Sequence, residues 1–182
     1  MRSICRAFIP LLLLSVSLLL GACGGGGREV RTSPRPAGAN YAAIVIAPFS
    51  LEKAQIQENA DVRSFAAGLP EEFPGYVKSF LARERRQILR TPPAGGQDYL
   101  LVEGDFTAIT AGNFAARFVV GFGAGRSTVE AAWTIRDGRT GAVLASHREA
   151  AHSGNAYRGM TAIESDARAL AKVVARTIMA VR

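Results

Sequence analysis

From Thr128 to Arg136 the chain alternates with a two-residue period: Val129, Ala131, Trp133 and Ile135 on one side, Thr128, Glu130, Thr134 and Arg136 on the other. Successive side chains of a strand point to opposite faces, so this stretch predicts a strand with one face buried against a core and one turned to solvent. Asp137-Gly138-Arg139-Thr140-Gly141 follows, with glycines that accept positive φ, and predicts a hairpin turn. Ala142 to Ala150 then returns as the partner strand. A chain with such a hairpin has to build a sheet and cover one side of it.

The other elements are read around this hairpin. Leu100, Val102, Phe106 and Ala108 share one parity and predict a strand; a second is expected over Asn113 to Val120. Upstream, Ala42-Ala43-Ile44-Val45-Ile46-Ala47-Pro48-Phe49 is a short apolar run that suits a buried strand. Leu51 to Gly68 is polar and irregular and predicts an excursion with at most a short helical turn. Pro70 opens a stretch with Phe73, Val77, Phe80 and Leu81 at helical spacing, Glu71 and Glu72 near its start and Arg83, Arg85 and Arg86 near its end. That is an amphipathic helix with charges matched to its dipole, closed by Thr91-Pro92-Pro93. A last helix is expected from a Thr161/Glu164 capping box, with Ile163, Ala167, Leu170, Val174, Ile178 and Val181 along one side. The economical architecture is α+β: a mostly antiparallel sheet of about five strands with two main helices packed on one face.

The N-terminus has a different logic. Arg2 and Arg6 lead an apolar run from Phe8 to Leu20, shorter than the roughly 20 residues that span a bilayer, and Gly21-Ala22-Cys23 follows. Leu20-Gly21-Ala22-Cys23 resembles the lipobox of bacterial lipoproteins, in which the cysteine thiol takes a diacylglyceryl group. The resemblance implies a signal peptide over residues 1–22, lipidation at Cys23 and attachment to the bilayer through acyl chains. Gly24 is not the aspartate associated with inner-membrane retention, so the expected place is the periplasmic side of the outer membrane. Cys5 leaves with the signal and Cys23 is acylated, so the mature domain has no thiol for disulfides or catalysis. Residues 23–40, rich in glycine and proline, read as a flexible linker, and 41–182 as one α/β domain. Without Arg2 and Arg6 the chain carries 20 basic and 15 acidic side chains, a net charge of +5. For an exported chain this speaks of solubility or anionic surfaces, not of nucleic acid.

Asp98-Tyr99, Glu103-Gly104-Asp105-Phe106, Gly112-Asn113, Val120 to Gly125 and the Asp137 to Gly141 turn together resemble DUF4410, a family of uncharacterised bacterial lipoproteins. Ile44 to Phe49 extends the likeness over nearly all of the mature domain. The resemblance implies a lipoprotein and assigns no activity.

Local chemistry is thin. Gly121-Phe122-Gly123-Ala124-Gly125-Arg126-Ser127 has glycines that admit a phosphate, yet it lacks P-loop spacing and is followed by a strand instead of a helix N-terminus. It reads first as a turn or bulge between strands. Phe118, Val119, Val120, Gly121, Phe122, Gly123 and Gly125 form the candidate interaction segment, an apolar stretch suited to meeting a partner or a bilayer. His147, Glu149 and His152 are too few and too spread for a metal site, so no metal or cofactor is expected. Ser127, Ser146 and Ser153 lie in no Gly-x-Ser-x-Gly elbow. Glu103 and Asp105 share a strand face as a possible carboxylate pair, explained equally by a solvent face. The expected role is a non-enzymatic binding or scaffolding component of the envelope, with another envelope protein or further copies of itself as partner. The alternatives are an envelope hydrolase acting on cell-wall or lipid material, or a periplasmic carrier of a small apolar ligand.

Overall fold

The computed structural model describes residues 31–32, 41–112, 126–152 and 160–181. In chain order these form β1 (Arg31–Thr32), β2 (Ala43–Ile46), β3 (Gln55–Ile56), α1 (Ala60–Phe80), β4 (Gln87–Leu89), β5 (Tyr99–Thr110), β6 (Thr128–Asp137), β7 (Val143–Ala151) and α2 (Met160–Ala180). The strands make one sheet in the order β1-β7-β6-β5-β2-β4, and the short β3 pairs with β5 beyond β2. The α+β expectation holds, with a correction to the sheet. Six strands instead of five lie along its path, β3 adds a short seventh, and the sheet is mixed. β1, β7, β6 and β5 are antiparallel in turn, whereas β2 runs parallel to β4 and β5 and β3 runs parallel to β5. All four residues of β2, which has parallel neighbours on both sides, are buried, so its sequence shows no alternation.

The hairpin forms as its pattern dictates, with β6 and β7 in register from Val129↔Ala151 to Arg136↔Val143. Val129, Ala131, Trp133 and Ile135 are buried, and the buried series continues to Asp137. In β5 the expected parity holds through Leu100, Val102 and Phe106 and then breaks. A register shift between Phe106 and Ala108 inserts Thr107 as a bulge, so Ile109 is buried where the simple alternation puts Ala108. The expected strand over Asn113 to Val120 lies outside the described residues.

Both helices cover the same face of the sheet and pack against each other, forming one apolar cluster. On α2 the expected stripe of Ile163, Ala167, Leu170, Val174 and Ile178 is fully buried, while Val181 is only half-buried. The Trp133 indole N–H donates to Thr177 Oγ1 at 3.1 Å, and the Thr177 hydroxyl donates to the Val174 carbonyl at 2.7 Å. This chain satisfies the polar edge of a buried tryptophan and fixes α2 over β6. Thr161 lies inside α2 and is not its cap, while Glu164 pairs forward with Arg168 at 2.8 Å.

Helix α1 begins ten residues before the expected Pro70. Asn59 is its N-cap: the side-chain oxygen accepts from Asp61 N at 2.9 Å and Val62 N at 3.2 Å. Val62, Ala66, Leu69, Phe73 and Val77 then present a buried helical stripe. Pro70 and Pro74 remain inside the helix, although each lacks the N–H of the i to i−4 ladder; burial of the stripe outweighs those two missing bonds. The helix stops at Phe80, so Arg83, Arg85 and Arg86 follow it and do not form its last turn. Arg86 pairs with Glu84 at 2.9 Å, and Arg90 pairs with Glu71 at 2.8 Å.

Two glycines make opposite demands. At Gly104 in β5 an added Cβ would lie 2.6 Å from Phe49 Cε2 and 2.8 Å from the Ala132 carbonyl oxygen, whereas at Gly75 in α1 it would meet nothing within 4 Å. Gly104→Ala is expected to destabilise by about 2 kcal/mol through overpacking. Gly75→Ala should raise stability by about 0.5 kcal/mol through helix propensity. Urea unfolding of the two variants checks both signs.

Candidate interaction surface

The face of the sheet that the helices leave uncovered carries a set of ion pairs whose positions follow from strand register. Glu103 stands opposite Thr134, Asp105 opposite Ala132, and on the other side of β6 Ala132 faces Arg148 and Thr134 faces Ser146. Charges on neighbouring strands therefore meet diagonally, Arg136 Nε lying 3.4 Å from Glu103 and Arg148 bonding Glu130, while Lys53 Nζ reaches Asp105 at 3.0 Å from the turn before β3. Side-chain exposures of 49% for Glu103 and 66% for Arg148 mark these as solvent pairs, each contributing well under about 1 kcal/mol. Among the described residues, three acids on this face are thus matched by three bases, with Thr134 and Ser146 beside them. Glu103 and Asp105 do share this face, each bound to its own cation, which explains them as salt-bridge partners. Lys53 joins because β2 and β3 are joined by a segment that follows β5, with Ser50 bridged to Asp105; its place in a polar excursion hid this from the sequence.

The histidines are separated. His147 lies opposite Trp133 and stacks on it, ring centroids 5.4 Å apart at 22°, while Glu149 lies opposite Ala131. His152 Nδ1 is 3.0 Å from Thr128 Oγ1. Among the described residues no group of three or more His, Cys, Asp or Glu is arranged to hold a metal ion. Ser127 is buried and Ser146 lies in β7, and the two are far apart along the strand register.

At the end of the sheet where β6 turns into β7, Asp137 is buried and serves as the anchor of the hairpin. Its Oδ1 accepts from Arg139 N at 3.0 Å and Thr140 N at 2.7 Å, and its Oδ2 accepts the Tyr41 hydroxyl proton at 3.0 Å. Burial pushes its carboxyl up, yet the hydrogen bonds from Thr140, Tyr41 and Arg139 outweigh it and hold the group below the usual carboxylate value. Gly138 lies beneath the Tyr99 ring, where any Cβ would collide, and Gly141 takes φ +73°. Arg139 closes the turn on Asp98 at 3.0 Å.

Between the helices, Tyr76 donates to Glu72 at 2.7 Å, and the Arg168 guanidinium sits 4.5 Å above its ring. Burial, the Glu72 hydrogen bond and the surrounding carboxylates push the phenol up to about 12. The protonated phenol thus contributes stability that is complete below about pH 10 and is lost as pH rises through about 12. NMR titration of the Tyr76 ring should give a midpoint near 12, falling toward 10 in Glu72→Gln.

Cys23 and the candidate segment Phe118, Val119, Val120, Gly121, Phe122, Gly123 and Gly125 lie outside the described residues; the segment's flanks, Gly112 and Arg126, fall at the same end of the sheet. No helix among the described residues is long and apolar enough to cross a membrane.

The family described as a domain of unknown function, DUF4410, matches residues 44–157. A comparison with curated proteins finds no match. Among solved structures, the chain is similar to protein XCC0632 from Xanthomonas campestris at 12% identity and a TM-score of 0.51, covering 85% of this chain and 93% of that one. It also aligns with a PelC dodecamer from Paraburkholderia phytofirmans (15% identity, TM-score 0.49, 80% and 94% covered). A third alignment is with lipoprotein GNA1162 from Neisseria meningitidis (12%, 0.40, 74% and 99%). At such identities the likeness concerns the fold alone. The motif residues are explained by that fold: Gly104 makes room for Phe49, Gly138 for Tyr99, and Asp137 ties the last hairpin to Tyr41.

Proposed function

We propose that this chain, which belongs to the DUF4410 family, is a lipid-anchored component of the bacterial cell envelope that works by binding or scaffolding and not by catalysis. The anchor is Cys23, acylated after removal of residues 1–22, and the domain stands on the periplasmic side of the outer membrane. The lipobox Leu20-Gly21-Ala22-Cys23, placed where the apolar run of the leader ends, supports the anchor. One observation carries the binding role: both helices cover one face of the sheet, and the other keeps paired, solvent-reaching charges. Burying such pairs costs hydration, so this face suits a polar, wet contact in which the pairs stay at the rim. The apolar run Phe118 to Phe122, in the connection between β5 and β6, supplies a second contact element for another envelope protein, a further copy of this chain or the bilayer.

Growth with a clickable fatty-acid analogue should label the protein and leave Cys23→Ala unlabelled; label on Cys23→Ala contradicts the anchor. Photocrosslinkers at Phe122 and Thr134 in intact cells should each capture a discrete partner or a dimer. Capture from neither position contradicts the binding role.

A further inference from the structure

Arg31 and Thr32 lie within the stretch that reads as a flexible linker, yet they pair with β7 as strand β1, Arg31 opposite Ser146 and Thr32 opposite Ala145. Eight residues separate Arg31 from Cys23, against eighteen from Cys23 to Tyr41, where the body of the domain begins. A fully extended chain covers at most about 3.5 Å per residue, so the pairing cuts the reach of the tether from about 60 Å to about 28 Å. The pairing also sets a direction. Because β1 is antiparallel to β7, the N-terminal end of β1 points toward the Ala151 end of β7. Ala151 is five residues beyond Ser146, about 17 Å along the strand, which leaves about 11 Å of reach past that end.

The Ala151 end is shared by the close of β5 and the opening of β6, since Ala151 is opposite Val129 and Val129 opposite Ile109. It carries Gly112, Arg126, Thr128 and His152. The Asp137–Gly141 turn is at the other end, separated by the ten residues of β6, about 30 Å.

We infer that β1 is a clamp that aims the domain at the bilayer: the end carrying Arg126 and His152 faces the lipid headgroups and the Asp137–Gly141 turn points away. The occupant of this end is the membrane surface itself. The inference rests on the reading of Cys23 as the lipid anchor.

The mature chain has no cysteine besides the acylated one, so single labels can be placed by Arg126→Cys or Arg139→Cys, both at exposed positions. The acylated full chain carrying a donor dye at either site is reconstituted into phosphatidylethanolamine–phosphatidylglycerol vesicles containing a headgroup-labelled acceptor lipid. Transfer from position 126 should exceed that from 139 several-fold. In the Arg31→Pro/Thr32→Pro background, where the strand donors are removed, the difference should collapse while circular dichroism stays unchanged. Vesicle-bound protein with equal or reversed transfer, or a difference that survives the prolines, overturns the clamp and leaves the anchor standing. Protein that does not sediment with the vesicles overturns the anchor, and the clamp with it.

Discussion

Phe106→Ala is expected to lower the unfolding free energy by about 3–5 kcal/mol, a large part of the roughly 5–15 kcal/mol that holds a domain of this size. Phe106 is fully buried, with ring centroids 5.6 Å from Phe49 and 5.1 Å from Phe73, edge-on to the latter at 81°. Phe49 and Phe73 are themselves 4.9 Å apart. The three rings come from β5, the segment after β2 and α1, so their contact is where the helix layer meets the sheet. Truncation leaves a cavity beside Gly104, whose missing side chain cannot help fill it. The urea midpoint should fall with little change in slope. Phe80→Ala, at a site 40% exposed, should stay within about 0.5 kcal/mol. A Phe106→Ala loss as small as that of Phe80→Ala would contradict this packing.

Asp137→Ala should destabilise by about 3 kcal/mol at neutral pH, because it removes three hydrogen bonds at once, those accepted from Arg139 N, Thr140 N and the Tyr41 hydroxyl. The loss has a pH signature. The Asp137 carboxyl titrates below its unfolded value of 3.8, so the folded state binds its proton less readily than the unfolded chain does. Stability from this group is therefore complete above about pH 4 and fades as pH falls through the folded-state value. The gap between the wild-type protein and Asp137→Ala should narrow below pH 4 and stay constant from pH 6 to 8. Urea melts across that range check both parts, and a gap that widens on acidification would reverse the assigned direction.

Legibility in the sequence followed the physics of each element. The β6–β7 hairpin was readable because one face is buried and the other wet, so Trp133 and Thr134 announce opposite sides. Two-sided burial hid the parallel half: Ala43 to Ile46 is apolar throughout, and Gln87–Leu89 is too short to show any period. The start of α1 was missed because Glu58, Asn59 and Asp61 make its opening look like a polar excursion, and Pro70 reads as a helix start. Asn59 with Val62, Ala66 and Leu69 at helical spacing was the available signal, and tertiary burial overrode the prolines. The Thr107 bulge could not be read at all, because a local alternation carries no mark of an inserted residue. As for the candidate surface, alternate acids on β5 and β6 and arginines on β6 and β7 were visible, but their diagonal pairing is a matter of register. The β1 pairing was concealed by composition, since Arg31 and Thr32 lie between glycines and prolines.

The central claim is that a domain of this fold is tied to lipid at Cys23. Intact-mass spectrometry of the protein extracted from membranes measures it directly. The account predicts a chain starting at Cys23 with the added mass of a diacylglyceryl group and its fatty acids; a mass matching an unmodified chain that still carries residues 1–22 would contradict it.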